Sequence, residues 1–589
     1  MNSIILRISY LLLFLFFSFL SFSQAQEESP FRYPPEIPII DSKTQEFLEK
    51  FPSDSTCFFW VFFTDKGIAT SSEYQGALEK CFKRVSKKSI ERRRLRGKEG
   101  IFDFTDLPVS KYYIEKIRGT GAKIRTVSRW LNGVSIGATK EKIENISRFN
   151  FVRSIKKVVS YYKRYPEIQK QPPLYKPEKG RFSLGYGESF PQLDQIFVPT
   201  LHDSGYSGEG VLICILDTGF RKSHQAFKKA FEEGRVIAEY DFINNDEETQ
   251  DEEGQDPQGQ DSHGTSVWSV LGGFVEDTLI GPAYRSSFLL AKTEKKFEEI
   301  QIEEDFWVAG IEWAESSGAD IVTSSLGYYK WYSYSDMDGN TAITTIAADI
   351  AVSKGIVVVT AAGNERDKDW EYIIAPADGD SVIAVGAVDL SGKLASFSSK
   401  GPTFDGRIKP DVLALGVGTY CAVPGNYYAG LNGTSFSTPL VAGVCALLLE
   451  KDPTLTPVLI AHKLKITASQ AESPDNLMGY GIVNALEAAE YHYPPLSFKR
   501  VISYPNPFED SLNINVEAGQ GADVKISVLT ISGEKVQKLT SFWLPDPANY
   551  FKSIWDGKNE CGEDVANGVY LIYVVVDGSS ELYKVAKLR

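Results

Sequence analysis

With 589 residues, 43% of them hydrophobic and 12% aromatic, the chain is too long for a single core and too apolar for disorder; about three domains are expected. Six scattered cysteines without CxxC pairs, and five histidines that never stand at ligand spacing to them, argue against a zinc site. The net charge of −14 is unevenly spread: residues 79–170 carry a net +16 and the rest is acidic.

The first predicted element is a leader. After MNSIILR comes the apolar run ISYLLLFLFFSFLSF, then Ser23, Gln24 and Ala25 and the polar QEESP. One positive charge, a run short of the ~20 residues of a membrane span, and a small-residue end describe a signal peptide over 1–25. The protein is therefore expected to be secreted, with no transmembrane span in the mature chain. Export permits disulfides, but no pairing is legible. Cys214 in VLICILD and Cys445 in VAGVCALLLE read as small buried apolar residues.

Residues 26–175 hold a strand-like CFFWVFF (57–63), a charged helical stretch (72–97), the β-like runs AKIRTVS and LNGVSIGA, a helix-like TKEKIENISRF, a strand FVRSIKKV, and a proline-containing linker. This is a small α/β domain. Its run ERRRLRGK (91–98) would suit nucleic acid, but in an exported chain an acidic partner within the same molecule is the better reading, and no nucleic acid is expected.

Residues 183–493 alternate apolar β-branched runs, VLICILD, ADIVTSSLG, GIVVVTAAGN and SVIAVGAV, with helical stretches such as EDFWVAGIEWAESSG. That alternation predicts a parallel sheet flanked by helices, with a ligand site at the carboxyl ends of its strands. Residues 497–589 alternate VKISVLT and GVYLIYVVVDG with turn signals, which predicts an immunoglobulin-like β-sandwich.

Three residues in the α/β block could carry chemistry. Asp217 ends an apolar strand, and His263 and Ser435 each stand at a predicted helix start, Ser435 in LNGTSFSTPLVAG. Each alone has a plain explanation as a strand-end carboxylate or a helix cap. Together, in the chain order Asp, His, Ser, they follow the subtilisin arrangement of the serine-protease triad. Glycines beside His263 and before Ser435 would let a substrate backbone approach, and Pro439 falls in the first turn or so of its helix, where a missing N–H costs little.

DTG, SHGTS, TAAGNE and NGTSFSTP, in that order, resemble the four signatures of the subtilase family of secreted serine endopeptidases. The resemblance implies Ser435 as nucleophile, His263 as general base and then acid, Asp217 as the buried carboxylate behind it, and Asn364 as oxyanion donor with the Ser435 N–H. It also implies that Ser325, Leu326 and Gly327 form the edge that pairs with the substrate backbone beside the specificity pocket. Phe436, Ser437 and Thr438 are bulkier than the residues more usual after the nucleophile. No cofactor is required; the acidic stretch 244–261 could hold calcium as a structural ion, although such runs are more often solvated. His202, His224, His462 and His492 read as structural.

The basic segment resembles a subtilase propeptide, cut off by the enzyme itself. The last block resembles sorting domains of the type IX secretion pathway, and in part the immunoglobulin-like domain of flagellar hook-capping proteins. The expected partners are protein or peptide substrates, the chain's own propeptide and outer-membrane secretion machinery. A silent surface binding protein on the same scaffold is the alternative. An aspartic protease, suggested by DTG, fails because the second such motif at Asp203 lies in a polar turn and forms no second lobe.

Overall fold

The computed structural model describes residues 32–97, 101–158, 160–162, 181–296, 298–300, 302–491, 500–518, 522–531, 533–544, 550–560, 562–576 and 579–588. The expected signal peptide, the linker after residue 162 and Cys561 lie outside the described residues. Two compact units form, Met1–Pro457 with Ala468–Leu486, and Val458–Thr467 with Glu487–Arg589. Among the described residues no helix is long and apolar enough to cross a membrane.

The first unit opens with a four-stranded antiparallel sheet in the order Lys123–Ser128, Gly133–Ala138, Cys57–Phe63, Val152–Val158. The strand CFFWVFF is apolar on both faces because both faces are covered. Side chains alternate along a strand, so Phe59, Val61 and Phe63 meet Val134, Ile136, Ile143 and Ile155 in a local core. Trp60 points the other way and joins Trp130 and Val158 in a cluster with Trp307, Val308 and Ile311 of the long helix Ile302–Ser317.

The charged stretch 72–97 forms two helices, Ser71–Cys81 and Lys87–Arg96, rather than one. The second starts where the Ser86 side chain caps the Ser89 N–H at 3.1 Å and the Ser86 N–H donates to the Ser316 carbonyl at 2.8 Å. Docking on another helix sets that break. Arg92 is buried and spans two helix ends, donating to the Ala319 carbonyl (2.6 Å) just past Ile302–Ser317 and to the Lys354 carbonyl (3.1 Å) that ends Ile343–Ser353. Cations belong at such ends, where unpaired carbonyls gather. Arg92 and Arg93 also pair with the fully buried Glu315, Arg93 at 2.8 Å, and Arg96 pairs with Asp320. The acidic partner expected for the basic block is thus the carboxyl end of this helix.

Burial alone would raise the Glu315 carboxyl, but Arg92 and Arg93 outweigh burial and hold it at about 2. A carboxylate held below its ordinary value contributes stability that is complete above about pH 4.5 and lost as pH falls toward 2. Removing one member of a buried pair strands the other charge, a cost of about 3–5 kcal/mol. Glu315→Ala, in a chain carrying Ser435→Ala so that no cleavage intervenes, is expected to lower the unfolding free energy from urea titration by that order at neutral pH, and the midpoint with it. The gap to the parent should narrow below pH 4.5; an unchanged midpoint would refute this account of the docking.

The sheet that follows has seven parallel strands in the order Val412–Leu415, Ile383–Val388, Val357–Ala361, Ile321–Ser324, Leu212–Asp217, Ser287–Lys292, Val236–Asp241. Helices cover it, including Ser262–Gly272 and Thr434–Lys451, which is buried from Thr434 to Leu449. This is the parallel sheet flanked by helices that the alternation predicts. In the second unit two four-stranded antiparallel sheets close over a core that includes Phe508, Ile514, Ile526, Trp555 and Ile572, the β-sandwich expected from the alternating pattern.

Candidate active site

Strand Leu212–Asp217 lies between Ile321–Ser324 on one side and Ser287–Lys292 on the other. From it the chain runs to the edge strand Val236–Asp241 and back to Ser287–Lys292 on one side, whereas from Ile321–Ser324 it builds outward on the other, so the connections leave these two neighbouring strands in opposite directions. Such a divergence leaves a crevice at the carboxyl ends of the two strands. Asp217 is the last residue of the first strand, and Ser325 follows the last residue of the second.

Asp217 is fully buried, and its Oδ1 accepts from the Thr218 N–H and from His263 Nδ1, both at 2.7 Å. Nδ1 must carry the proton in this pair, because a carboxylate can only accept. In the neutral ring Nε2 is then the nitrogen able to accept a proton. His263 is the second residue of helix Ser262–Gly272, and its side chain keeps 20% exposure. The adjacent glycine has a packing role rather than the substrate-facing one expected. A Cβ on Gly264 would lie 2.2 Å from the Gly219 carbonyl oxygen and 3.0 Å from Asp217 Cβ. Only glycine lets the helix start come close enough for His263 to reach Asp217.

Ser435 is the second residue of Thr434–Lys451, so its N–H is among those that intrahelical bonding leaves over. Gly433, two residues before it, takes φ +149°, and a Cβ there would meet the Phe436 ring at 3.7 Å, an ordinary contact; its backbone conformation, rather than open space, is what favours glycine. Pro439 is the sixth residue of the helix, deeper than expected, and its missing N–H would have served the Ser435 carbonyl four residues back. The Ser325 hydroxyl takes that role, donating to the Ser435 carbonyl at 2.8 Å, while Ser435 Oγ donates to the Ser325 carbonyl at 3.3 Å. These two segments are thereby tied together.

Asn364 comes to the same helix start. Its Oδ1 accepts from the Thr434 N–H (2.9 Å) and hydroxyl (3.1 Å), which leaves the amide nitrogen as the donor for any other group. Residues 325–327 continue beyond strand Ile321–Ser324, and Tyr328 pairs with Ala375. The Phe436 ring stands 5.9 Å from that of His263, so the bulky residue after Ser435 packs toward the imidazole. The structure thus joins Asp217 directly to His263, and Ser435 directly to Ser325, with Asn364 held through Thr434. Thr434 and the Ser325 hydroxyl were not singled out from the sequence. Their only signal is position, beside residues that were.

Two other histidines are fully engaged as neutral rings. His224 Nδ1 accepts from the Ala226 N–H and Nε2 faces the Tyr427 carbonyl; burial lowers its pKa. His202 lies between the Tyr186 hydroxyl and the Pro282 carbonyl, and burial pushes it down to about 4. In the acidic stretch, Asp256 pairs with Lys292, Asp261 with Arg221 and Glu248 with Lys222, while Asp251 accepts from the Gly259 and Asp261 N–H groups. Calcium wants roughly six to eight oxygen ligands. These carboxylates are already taken up by protein groups, and among the described residues no three acidic, cysteine or histidine side chains gather as a metal cage. The donor set of this stretch does not fit that ion.

Replacing Ser325 by alanine leaves the Ser435 carbonyl buried without its donor. The expected cost is about 1–3 kcal/mol, readable as a fall in thermal midpoint; no fall would mean that the carbonyl is satisfied in another way.

Comparison with known proteins places three segments. Residues 208–481 match the subtilase family (peptidase S8), residues 58–172 match a propeptide domain of S8 peptidases from Bacteroidota, and residues 503–587 match a secretion-system C-terminal sorting domain. The chain is 33% identical over 332 residues to subtilisin E of Bacillus subtilis, covering 56% of this chain and 78% of that protein. It is 34% identical over 311 residues to a subtilisin of Bacillus pumilus, covering 52% of this chain and 99% of that one. A protease solved from Pseudoalteromonas arctica is 25% identical, with 52% of this chain and 99% of that chain covered and a TM-score of 0.42.

Proposed function

Since this chain belongs to the subtilase family and carries both its propeptide domain and a secretion sorting domain, we propose that it is an active secreted serine endopeptidase that removes its own propeptide. Ser435 is the nucleophile, His263 the proton carrier and Asp217 the carboxylate behind it. The observation that carries this reading is the 2.7 Å contact between buried Asp217 and His263 Nδ1 at the mouth of the crevice.

A serine hydroxyl attacks a peptide carbonyl only if its proton is taken as the bond forms. His263 Nε2 receives that proton, and the imidazolium so formed is stabilised by Asp217, which also fixes the tautomer. The tetrahedral oxyanion is met by the Ser435 N–H and by the Asn364 amide, which Thr434 orients. His263 then protonates the leaving amine. Water attacks the acyl-enzyme by the same route in reverse and frees Ser435.

The segments for this reading are a propeptide within 26–175, a catalytic domain over 183–493 and a sorting domain over 497–589. Two features support self-processing. The basic helix Lys87–Arg96 docks the first domain on the second. The strand Ser160–Tyr162, at that domain's end, pairs antiparallel with Glu298–Ile300 of the catalytic domain. The tail is thus held in an extended form by backbone pairing with the catalytic domain, the kind of bond that also holds extended peptides.

Exported wild-type protein should begin within about 155–190, whereas Ser435→Ala should keep the propeptide; intact mass and N-terminal sequencing decide. If both proteins keep residues 26–175, the silent-scaffold alternative stands. Once the propeptide is removed, Asn364→Leu should lower kcat by ~10²–10³, the loss measured for one such donor in subtilisin itself, with KM little changed. An unaffected kcat would remove Asn364 from the oxyanion site.

A further inference from the structure

We infer that Ile374 fills the depth of the specificity slot, so that the enzyme cuts after small residues, Gly, Ala or Ser, and discriminates against large ones. This deepens the proposed function and rests on it. The slot follows from the geometry around Ser435. Strands Ile321–Ser324 and Val357–Ala361 are paired neighbours up to Ser324 and Thr360. Past their ends the chain continues as residues 325–327 on one side and 362–364 on the other. Ser435 is tied to the first segment through Ser325, and Asn364 in the second is tied to Thr434. A scissile carbonyl carbon at Ser435 Oγ, with its oxygen toward Asn364 and its backbone along 325–327, sends the preceding side chain between the two segments.

That space is occupied. A Cβ built on Gly327 would lie 2.5 Å from Ile374 Cδ1 and 2.6 Å from its Cγ1; one built on Gly363 would lie 3.1 Å from both atoms. The end of one isoleucine side chain therefore touches the backbone of both walls at once. It is not a loose plug. The Ile374 N–H donates to the Ala362 carbonyl (3.2 Å), and the next residue, Ala375, exchanges two hydrogen bonds with Tyr328 (3.0 and 2.8 Å), so the 374–375 backbone bridges both walls. Ile374 is 7% exposed, and β-branching restricts its rotation. A methyl-sized side chain can rest above it, but an aromatic or long aliphatic one overlaps it. Interiors packed to this density do not yield cheaply to extra volume.

The test uses the mature enzyme and internally quenched peptides that differ only in the residue before the cut (Gly, Ala, Ser, Leu, Phe or Tyr), with the cut site verified by mass spectrometry. Wild type should show kcat/KM for Ala at least about ten-fold above Phe, the scale on which pocket volume discriminates. Ile374→Gly, and to a lesser degree Ile374→Ala, should raise the rate on the Phe peptide relative to that on the Ala peptide about ten-fold or more. Circular dichroism and the thermal midpoint show that each variant is folded. Equal wild-type rates on Phe and Ala, or a preference left unchanged by both variants, overturn the inference while leaving the peptidase reading intact. Wild type that cuts none of the peptides and matches Ser435→Ala overturns both.

Discussion

Adjacent parallel strands whose connections depart in opposite directions must part at their carboxyl ends, and this crevice organises the whole catalytic unit. It lies between Leu212–Asp217 and Ile321–Ser324. Because the sheet is covered on both faces, the crevice is where backbone and side chains from distant segments can reach one point while facing solvent. Asp217 and Ser325 are supplied by the two strand ends, and Asn364 by the loop after the neighbouring strand. His263 and Ser435 arrive on helix starts packed against them. The two glycines flanking these helix starts differ in purpose: Gly264 permits packing, and Gly433 takes a φ of +149°.

Polar satisfaction does the finer positioning. A proline in the second turn of Thr434–Lys451 releases the Ser435 carbonyl, and the Ser325 hydroxyl takes it up. The vacancy is thus turned into a tie between the helix of Ser435 and the segment expected to carry substrate. Thr434 does the same for Asn364 by occupying Oδ1 twice, so the amide can only point its nitrogen elsewhere. Each tie is a buried bond whose loss would leave an unsatisfied group, which makes the arrangement stiff as well as specific.

Charge explains the first domain. Its basic helix would be poorly placed on any apolar surface, and it docks instead where two helices of the catalytic domain end. There Arg92 meets carbonyls from both and Glu315 collects Arg92 and Arg93. Full burial makes such pairs costly to break singly. Trp60, on the outward face of the first domain's central strand, donates at 2.6 Å to buried Asp305 near the start of the same helix. Docking thus grips Ile302–Ser317 at both ends.

What the sequence by itself determined is what short-range chemistry encodes. Leu212–Asp217, Val357–Ala361 and Ile383–Val388 were legible because strands buried on both faces are continuous apolar runs. Asp217, His263, Asn364 and Ser435 were legible because each sits in its own local motif, in an order that resembles one family. Val236–Asp241 was not legible: it is an edge strand, half exposed, with charged residues interrupting any run. The break near Ser86 and the depth of Pro439 were likewise hidden, since one is set by docking on Ser316 and the other by where a helix begins. Only the tertiary structure decided that Ile374 would stand between Gly327 and Gly363, or that Arg92 would meet Glu315. Those neighbours are far apart in the chain, and nothing local marks them. Their contacts exist because the sheet brings strand ends together and the close-packed interior leaves each side chain one place to go.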